Sequence, residues 1–222
     1  MARVIAVLAF GLIGAAILVA LCNWQLNRLD WKLGVIAQLE ERLNAEPVAL
    51  PADPDPVADK YLRVRVEGRF LPGEAHNLSS MKPWGPGFRI IAPFETAEGR
   101  RILVDRGYVP QDQKDAARAL PAGTVTGALL WPDEITSATP EPDLEANYWF
   151  GRDPWKLADA LGTEPVMIVA EEGAGDFPRA SPVTVNLKND HLGYAVTWGG
   201  LAAVWLVMTG VVLWRLHKKG GI

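Results

Sequence analysis

The sequence predicts a membrane protein: two transmembrane α-helices, N- and C-terminal, flanking one mainly antiparallel β (α+β) extracytoplasmic domain. Three observations carry this expectation. Apolar residues gather at the two ends of a 222-residue chain whose net charge of -4 and charged fraction of 22% are otherwise ordinary. The stretch between them breaks into short runs of strand character bounded by Gly and Pro. The densest cationic flank, Arg215, His217, Lys218 and Lys219, follows the second apolar run.

The first run, Val4 to Leu21, contains no charged or strongly polar side chain. Its 18 residues, rising about 1.5 Å each, make about 27 Å of helix, close to the roughly 30 Å hydrocarbon core of a bilayer. Trp24 is placed to anchor the far interface. A cleavable signal peptide would share the short cationic head and the apolar run. Against it, Leu21 precedes Cys22 where a small residue is needed for cleavage, and the run exceeds the ~7–15 residues of a signal-peptide apolar region. The helix is therefore expected to be retained. The second run, Tyr194 to Trp214, is interrupted only by Thr197, Thr209 and tryptophans.

Lys and Arg beside a span resist translocation, so the tail after Trp214 and Arg3 place both termini in the cytoplasm and the central domain outside it. Arg28 and Lys32 oppose this, but Asp30 lies among them and the segment that follows is long. The first run begins at residue 4, which leaves no room for a mitochondrial presequence; a bacterial inner membrane is the expected setting. The bilayer, and not nucleic acid, is the partner that this patterning implies. Cys22 is the only cysteine, so the exported domain is expected to rest on its core without a disulfide, and the thiol reads as a buried, inert packing group.

After the first span, Leu26, Leu29, Leu33, Ile36 and Leu43 recur at helical spacing, so the helix should continue outward as residues 1–45. Residues 46–60 read as a Pro-rich extended connector. The β domain is expected over 61–190, the second transmembrane helix over 191–214 and a cationic cytoplasmic tail over 215–222. Strands are predicted at Tyr61–Phe70, Gly87–Phe94, Arg101–Val109, Thr124–Leu130 and Val166–Ala170, with weaker signals at Ala75–Met81 and Val183–Leu187. In the first of these, charged residues at odd numbers alternate with Val64, Val66 and Phe70, so one face is buried and one wet. A helix is predicted from Pro154 to Leu161, N-capped by Asp153 and stopped by Gly162, and another over Gln113–Ala119. Many short strands with two minor helices suggest an antiparallel sandwich or a small barrel.

Enzyme signatures are missing: no G-x-S-x-G, no phosphate-binding glycine loop, no H-E-x-x-H and no C-x-x-C. His76, His191 and His217 are far apart in sequence. Asp105 and Arg106 could be read as a catalytic pair, but neighbours on a strand face opposite ways, which favours a structural ion pair or turn contact. His191 stands apart through its place, immediately before the second span. If the helix includes it, Tyr194, Ala195 and Trp198 share its face, setting an imidazole beside a small residue and two aromatic rings. Two readings stand: an interfacial histidine that caps the helix or bonds the domain, or an axial ligand to a haem iron.

Five segments carry a family resemblance: Trp24-Gln25-Leu26-Asn27-Arg28-Leu29-Asp30-Trp31-Lys32; Tyr61 to Phe70; Ile102 to Pro110, with Asp105-Arg106-Gly107-Tyr108-Val109-Pro110; Asn147-Tyr148-Trp149 followed by Asp153; and His191-Leu192-Gly193-Tyr194-Ala195-Val196-Thr197-Trp198. In this order, around this two-helix pattern, they resemble the surfeit locus protein 1 family of cytochrome c oxidase assembly factors. Asn23, Asp105 and Asp190 depart from the family's usual Gly, Asn and Asn; the first bears on helix approach, since glycine permits the closest contact.

The resemblance implies a non-enzymatic factor that binds haem a and assists its insertion into the catalytic subunit of cytochrome c oxidase, working beside the haem a synthesis machinery. It implies His191 as the ligand of the haem iron. Tyr194 and Trp198 are then expected to line the site, with Trp24 closing it from the opposite side. Arg28 or Lys32 would pair with the propionates, or equally with lipid headgroups. A cofactor-free scaffold for oxidase subunits and a membrane-tethered enzyme are the rival expectations.

Overall fold

The computed structural model describes residues 1–173, 177–185 and 187–219, and it divides into a helical unit (1–38 and 185–222) and a β-rich unit (39–184). The helical unit is built on α1 (Ala2–Asn44), whose last turns belong to the β-rich unit, and α3 (His191–Lys219). Both are long and apolar enough to cross a membrane, and only 11% and 6% of their most apolar stretches are buried by protein. That exposure separates them from the core helices of a soluble protein, which would be covered. The first helix does run on past the apolar stretch without a break, although Leu26 and Leu33 remain exposed.

The β-rich unit contains β1 (Val48–Ala49), β2 (Arg63–Phe70), β3 (Ala75–Met81), β4 (Gly85–Thr96), β5 (Arg101–Pro110), β6 (Ala122–Leu129), α2 (Pro154–Leu161) and β7 (Met167–Ala170). Strand order is β1-β2-β6-β7-β5-β4-β3, and β2 also pairs β4 through Gly68, Arg69 and Phe70. That extra pairing closes β2, β6, β7, β5 and β4 into a small barrel, the second of the two architectures expected. Most pairs are antiparallel; β5–β7 and β1–β2 are parallel. The connector thus contributes a strand: Val48 and Ala49 pair with Val64 and Arg65, covering part of the β2 edge. Farther along, Asp55 Oδ1 accepts from the amides of Val57 and Ala58, closing a turn within the Pro-rich stretch.

The alternation in β2 is realised. Val64 and Val66 point into the barrel with Phe94, Ile102, Val104, Leu129 and Ile168, while Arg65, Glu67 and Arg69 are exposed. Burying such side chains is worth about 1.5–3 kcal/mol each, the main source of stability in a domain without disulfides. Helix α2 forms where the caps predict: the Asp153 side chain accepts from Trp155 and Lys156 amides, and Gly162 ends it in the left-handed region at φ 66°. Its Leu157 and Ala158 cover Leu103 and Met167 on the outer face of the sheet.

Two expectations fail. The helix over Gln113–Ala119 is only a short 3-10 turn at Gln111–Gln113 followed by irregular chain, since no apolar side chain there finds a face to pack on. The strand over Val183–Leu187 is not formed at the described positions, and Asn186 lies outside the described residues.

Asp105 and Arg106 do not pair with each other: Arg106 lies over the ring of Phe70 and donates to the Ala119 carbonyl. The β4–β5 register shifts between Ile90 and Ile91, which pair with Gly107 and Asp105, so Arg106 is the extra residue of a bulge. Asp105 is fully buried, bound by Arg89 Nε at 2.7 Å, Arg152 Nη1 at 3.0 Å and the Gly107 amide at 3.0 Å. It is a structural ion pair. Gly107, at φ 109°, passes so close to the Arg179 carbonyl that a Cβ would stand 2.0 Å from it.

Candidate functional site

The helical unit holds itself together by close contacts along its length. In α1, Gly11 and Gly14 leave room for α3: a Cβ on Gly11 would stand 2.3 Å from Thr209, and one on Gly14 would stand 2.5 Å from Trp205. Trp205 Nε1 donates to the Gly11 carbonyl at 2.9 Å, and its ring lies 5.2 Å from that of Phe10. Small residues admitting a large partner are the usual means by which helices pack in lipid, where no hydrophobic force drives them together. Farther along, Cys22 Sγ donates to the Ala195 carbonyl at 3.3 Å, and Lys32 Nζ donates to the carbonyl of Lys188. Partners fall in number on α3 as they rise on α1, so the two helices are antiparallel.

Between the Cys22 and Lys32 contacts lies the candidate site. His191 opens α3 and is half-buried, and its Nδ1 lies 2.7 Å from Gln25 Oε1. Gln25 is 8% exposed, the one buried polar side chain of the helical unit among the described residues. Ala195, one turn after His191, is 3% exposed; its small side chain lets α1 approach. No hydrogen bond reaches His191 Nε2 from the described residues.

The residues named from sequence are thus only partly gathered. His191 and Lys32 engage across the helix pair, and Trp198 is half-buried on the face of His191. Trp24 and Tyr194 are 56% and 55% exposed, on the outside of the pair. Arg28 lies over the ring of Trp31 at 4.2 Å, a cation–π contact on α1 itself. Gln25 was missed as a site residue. The signal was present: an amide where an apolar span ends is costly unless paired, and Cys22, Gln25 and Lys32 share one face of a helix.

The other histidines are placed differently. His76 is buried on β3, with Nε2 bound to Glu74 at 2.7 Å, and Arg118 reaches the same carboxylate at 3.1 Å. His217 is exposed near the end of α3. No group of three or more metal-binding side chains occurs among the described residues. One cavity of the β-rich unit, about 580 Å³, is lined by Arg65, Glu67, Phe70, Arg106 and Thr124 among others. Burial pushes the Arg106 guanidinium down from its ordinary range, with Glu74 opposing the shift. Its described lining includes no histidine, lysine, cysteine or serine.

Residues 12–203 match the SURF1 family, a span that includes both Gln25 and His191. The chain belongs to the SURF1 family. Among SURF1 relatives, the chain is similar to Surfeit locus protein 1 of Mus musculus, at 31% identity over 205 residues covering 82% of this chain and 67% of the mouse protein. It is similar to a SURF1-like protein of Rickettsia bellii at 31% identity, covering 94% of this chain and 89% of that one. A SURF1-like protein of Monosiga brevicollis is 33% identical, with 90% and 83% covered.

Proposed function

We propose that this protein is a cytochrome c oxidase assembly factor that binds haem a as cargo through His191 and assists its insertion into the oxidase's catalytic subunit. The observation that supports the reading is the state of the His191 imidazole: it is held between two apolar helices through Nδ1, while Nε2 has no protein partner among the described residues. Metal-binding histidines characteristically donate their second nitrogen to an oxygen acceptor, which orients the ring and raises its basicity. The donor set therefore fits a haem iron.

The rest of the site follows from chemistry around that nitrogen. Trp198, Trp24 and Tyr194 offer flat apolar surface near the same helical level, and Arg28 offers a cation for a propionate. The exposed helix surface would shelter the farnesyl tail within the bilayer. Cationic residues at both termini support cytoplasmic ends in a bacterial inner membrane, with the β barrel on the periplasmic side.

Co-expression with the haem a synthesis enzymes, followed by an absorption spectrum of the purified protein, tests the reading. Haem a is expected to co-purify with the wild type. A colourless protein that still binds oxidase subunits would favour the cofactor-free scaffold.

A further inference from the structure

Gln25 has a task that burial alone does not explain. Its chain neighbours Trp24 and Leu26 are exposed, whereas Gln25 turns inward against α3. An amide oxygen has no proton to give, so in a 2.7 Å contact between Gln25 Oε1 and His191 Nδ1 the proton belongs to Nδ1. Neutral imidazole in water favours the other form, with the proton on Nε2, and that nitrogen then has no lone pair for a metal.

We propose that Gln25 is the positioning residue of the site: by accepting from Nδ1 it selects the Nδ1–H tautomer of His191 and presents the Nε2 lone pair before any haem arrives. This rests on the reading of His191 as a haem ligand, although tautomer selection itself needs no haem. The bond crosses from α1 to α3, so ligand geometry is tied to the register of the helix pair, which the Gly11, Gly14 and Cys22 contacts set. The reverse arrangement, in which the amide NH2 donates to Nδ1, yields the opposite tautomer.

The test uses full-length, detergent-solubilised protein labelled with ¹⁵N-histidine and free of haem, at about pH 9, where imidazole is neutral. The signal lost in His191→Ala assigns the residue. Wild-type His191 is expected to show a protonated Nδ1 and an unprotonated Nε2; Gln25→Leu should shift it to the Nε2–H form, and Gln25→Glu, which keeps an oxygen acceptor, should hold Nδ1–H. Gln25→Met, also lacking the amide oxygen, gives the same reading if the leucine variant does not fold. An Nε2–H form in the wild type, or an unchanged tautomer in the leucine and methionine variants, overturns the proposal.

A second arm adds haem a by co-expression. Loss of the acceptor should weaken haem retention about 10- to 100-fold, while Gln25→Glu should retain haem with a more negative reduction potential, since an anionic partner makes the imidazole more basic. Haem held through His191 equally well, with the same spectrum, in Gln25→Leu would overturn the positioning role. Wild-type protein in the Nδ1–H form that takes up no haem leaves tautomer selection standing and removes the haem reading instead.

Discussion

His191 and His76 show how one residue type acquires different prospects from its surroundings. His76 has its Nε2 engaged by Glu74 inside the β-rich unit, whereas His191 spends only Nδ1, on a neutral amide. Replacing His191 with Ala should abolish haem a binding or alter its spectrum while the fold persists, because the change leaves only the Gln25 amide unpaired in a helix pair that the Gly11, Gly14 and Trp205 contacts still hold; His76→Ala and His217→Ala should leave the spectrum unchanged. Haem that persists in His191→Ala but vanishes in His76→Ala would move the site into the β-rich unit. Asp105 offers a prediction of another kind. Removing it by Asp105→Ala leaves Arg89 without a carboxylate and Arg152 with Glu134 alone, a change that costs about 3–5 kcal/mol. The melting temperature of the β-rich unit should fall by roughly 10 °C; an unaltered melt would show that the two arginines find other partners.

At the scale of elements, the antiparallel pairing of α1 and α3 is the arrangement on which the candidate site depends. A Cβ placed on Gly199 would lie 3.6 Å from Cys22 Sγ, within reach of a disulfide. The Gly199→Cys protein should therefore form an internal disulfide on mild oxidation, read as loss of both thiols to a maleimide reagent. Adding Gly14→Leu, which sets a side chain where Trp205 now packs, should lower the yield severalfold. Equal yields with and without the leucine would place the helices in another register. Elements of the β-rich unit were legible to the degree that they carried their own signals: α2 had Asp153, Pro154 and Gly162 at its ends, and β2 had strict alternation. The segment 113–119 had helix-compatible residues but no apolar face to bury, and local propensity without packing does not hold a helix.

For the molecule as a whole, the cationic ends predict both termini in the cytoplasm, and a reporter active only outside the cytoplasm, fused after Ile222, should be silent. Because Cys22 is the sole cysteine, the melting temperature should not change with reductant; a large drop would mean an intermolecular disulfide. Acid should act through ion pairs such as Glu134–Arg152: burial pushes the Glu134 carboxyl up, but the Arg152 guanidinium outweighs it and holds the group below the ordinary carboxylate range. The unfolded chain then binds the proton more readily, so the contribution of this pair is complete above the ordinary carboxylate range and is lost as pH falls below it. Glu134→Gln should flatten that acid limb in a melting series. By itself the sequence determined the two spans, the helix that continues past the first apolar stretch, the capped α2 and the alternating strands, because each is written in the spacing and end-residues of one continuous stretch. It also singled out His191 by its position at a span boundary. Only the tertiary structure decided that β2 meets β4 to close a barrel, that the connector donates a strand, that Asp105 is shared by two arginines, and that Gln25 faces His191. Those are pairings between residues far apart in the chain, 166 positions in the last case; no local periodicity encodes them, and they appear only when two apolar surfaces settle on one register.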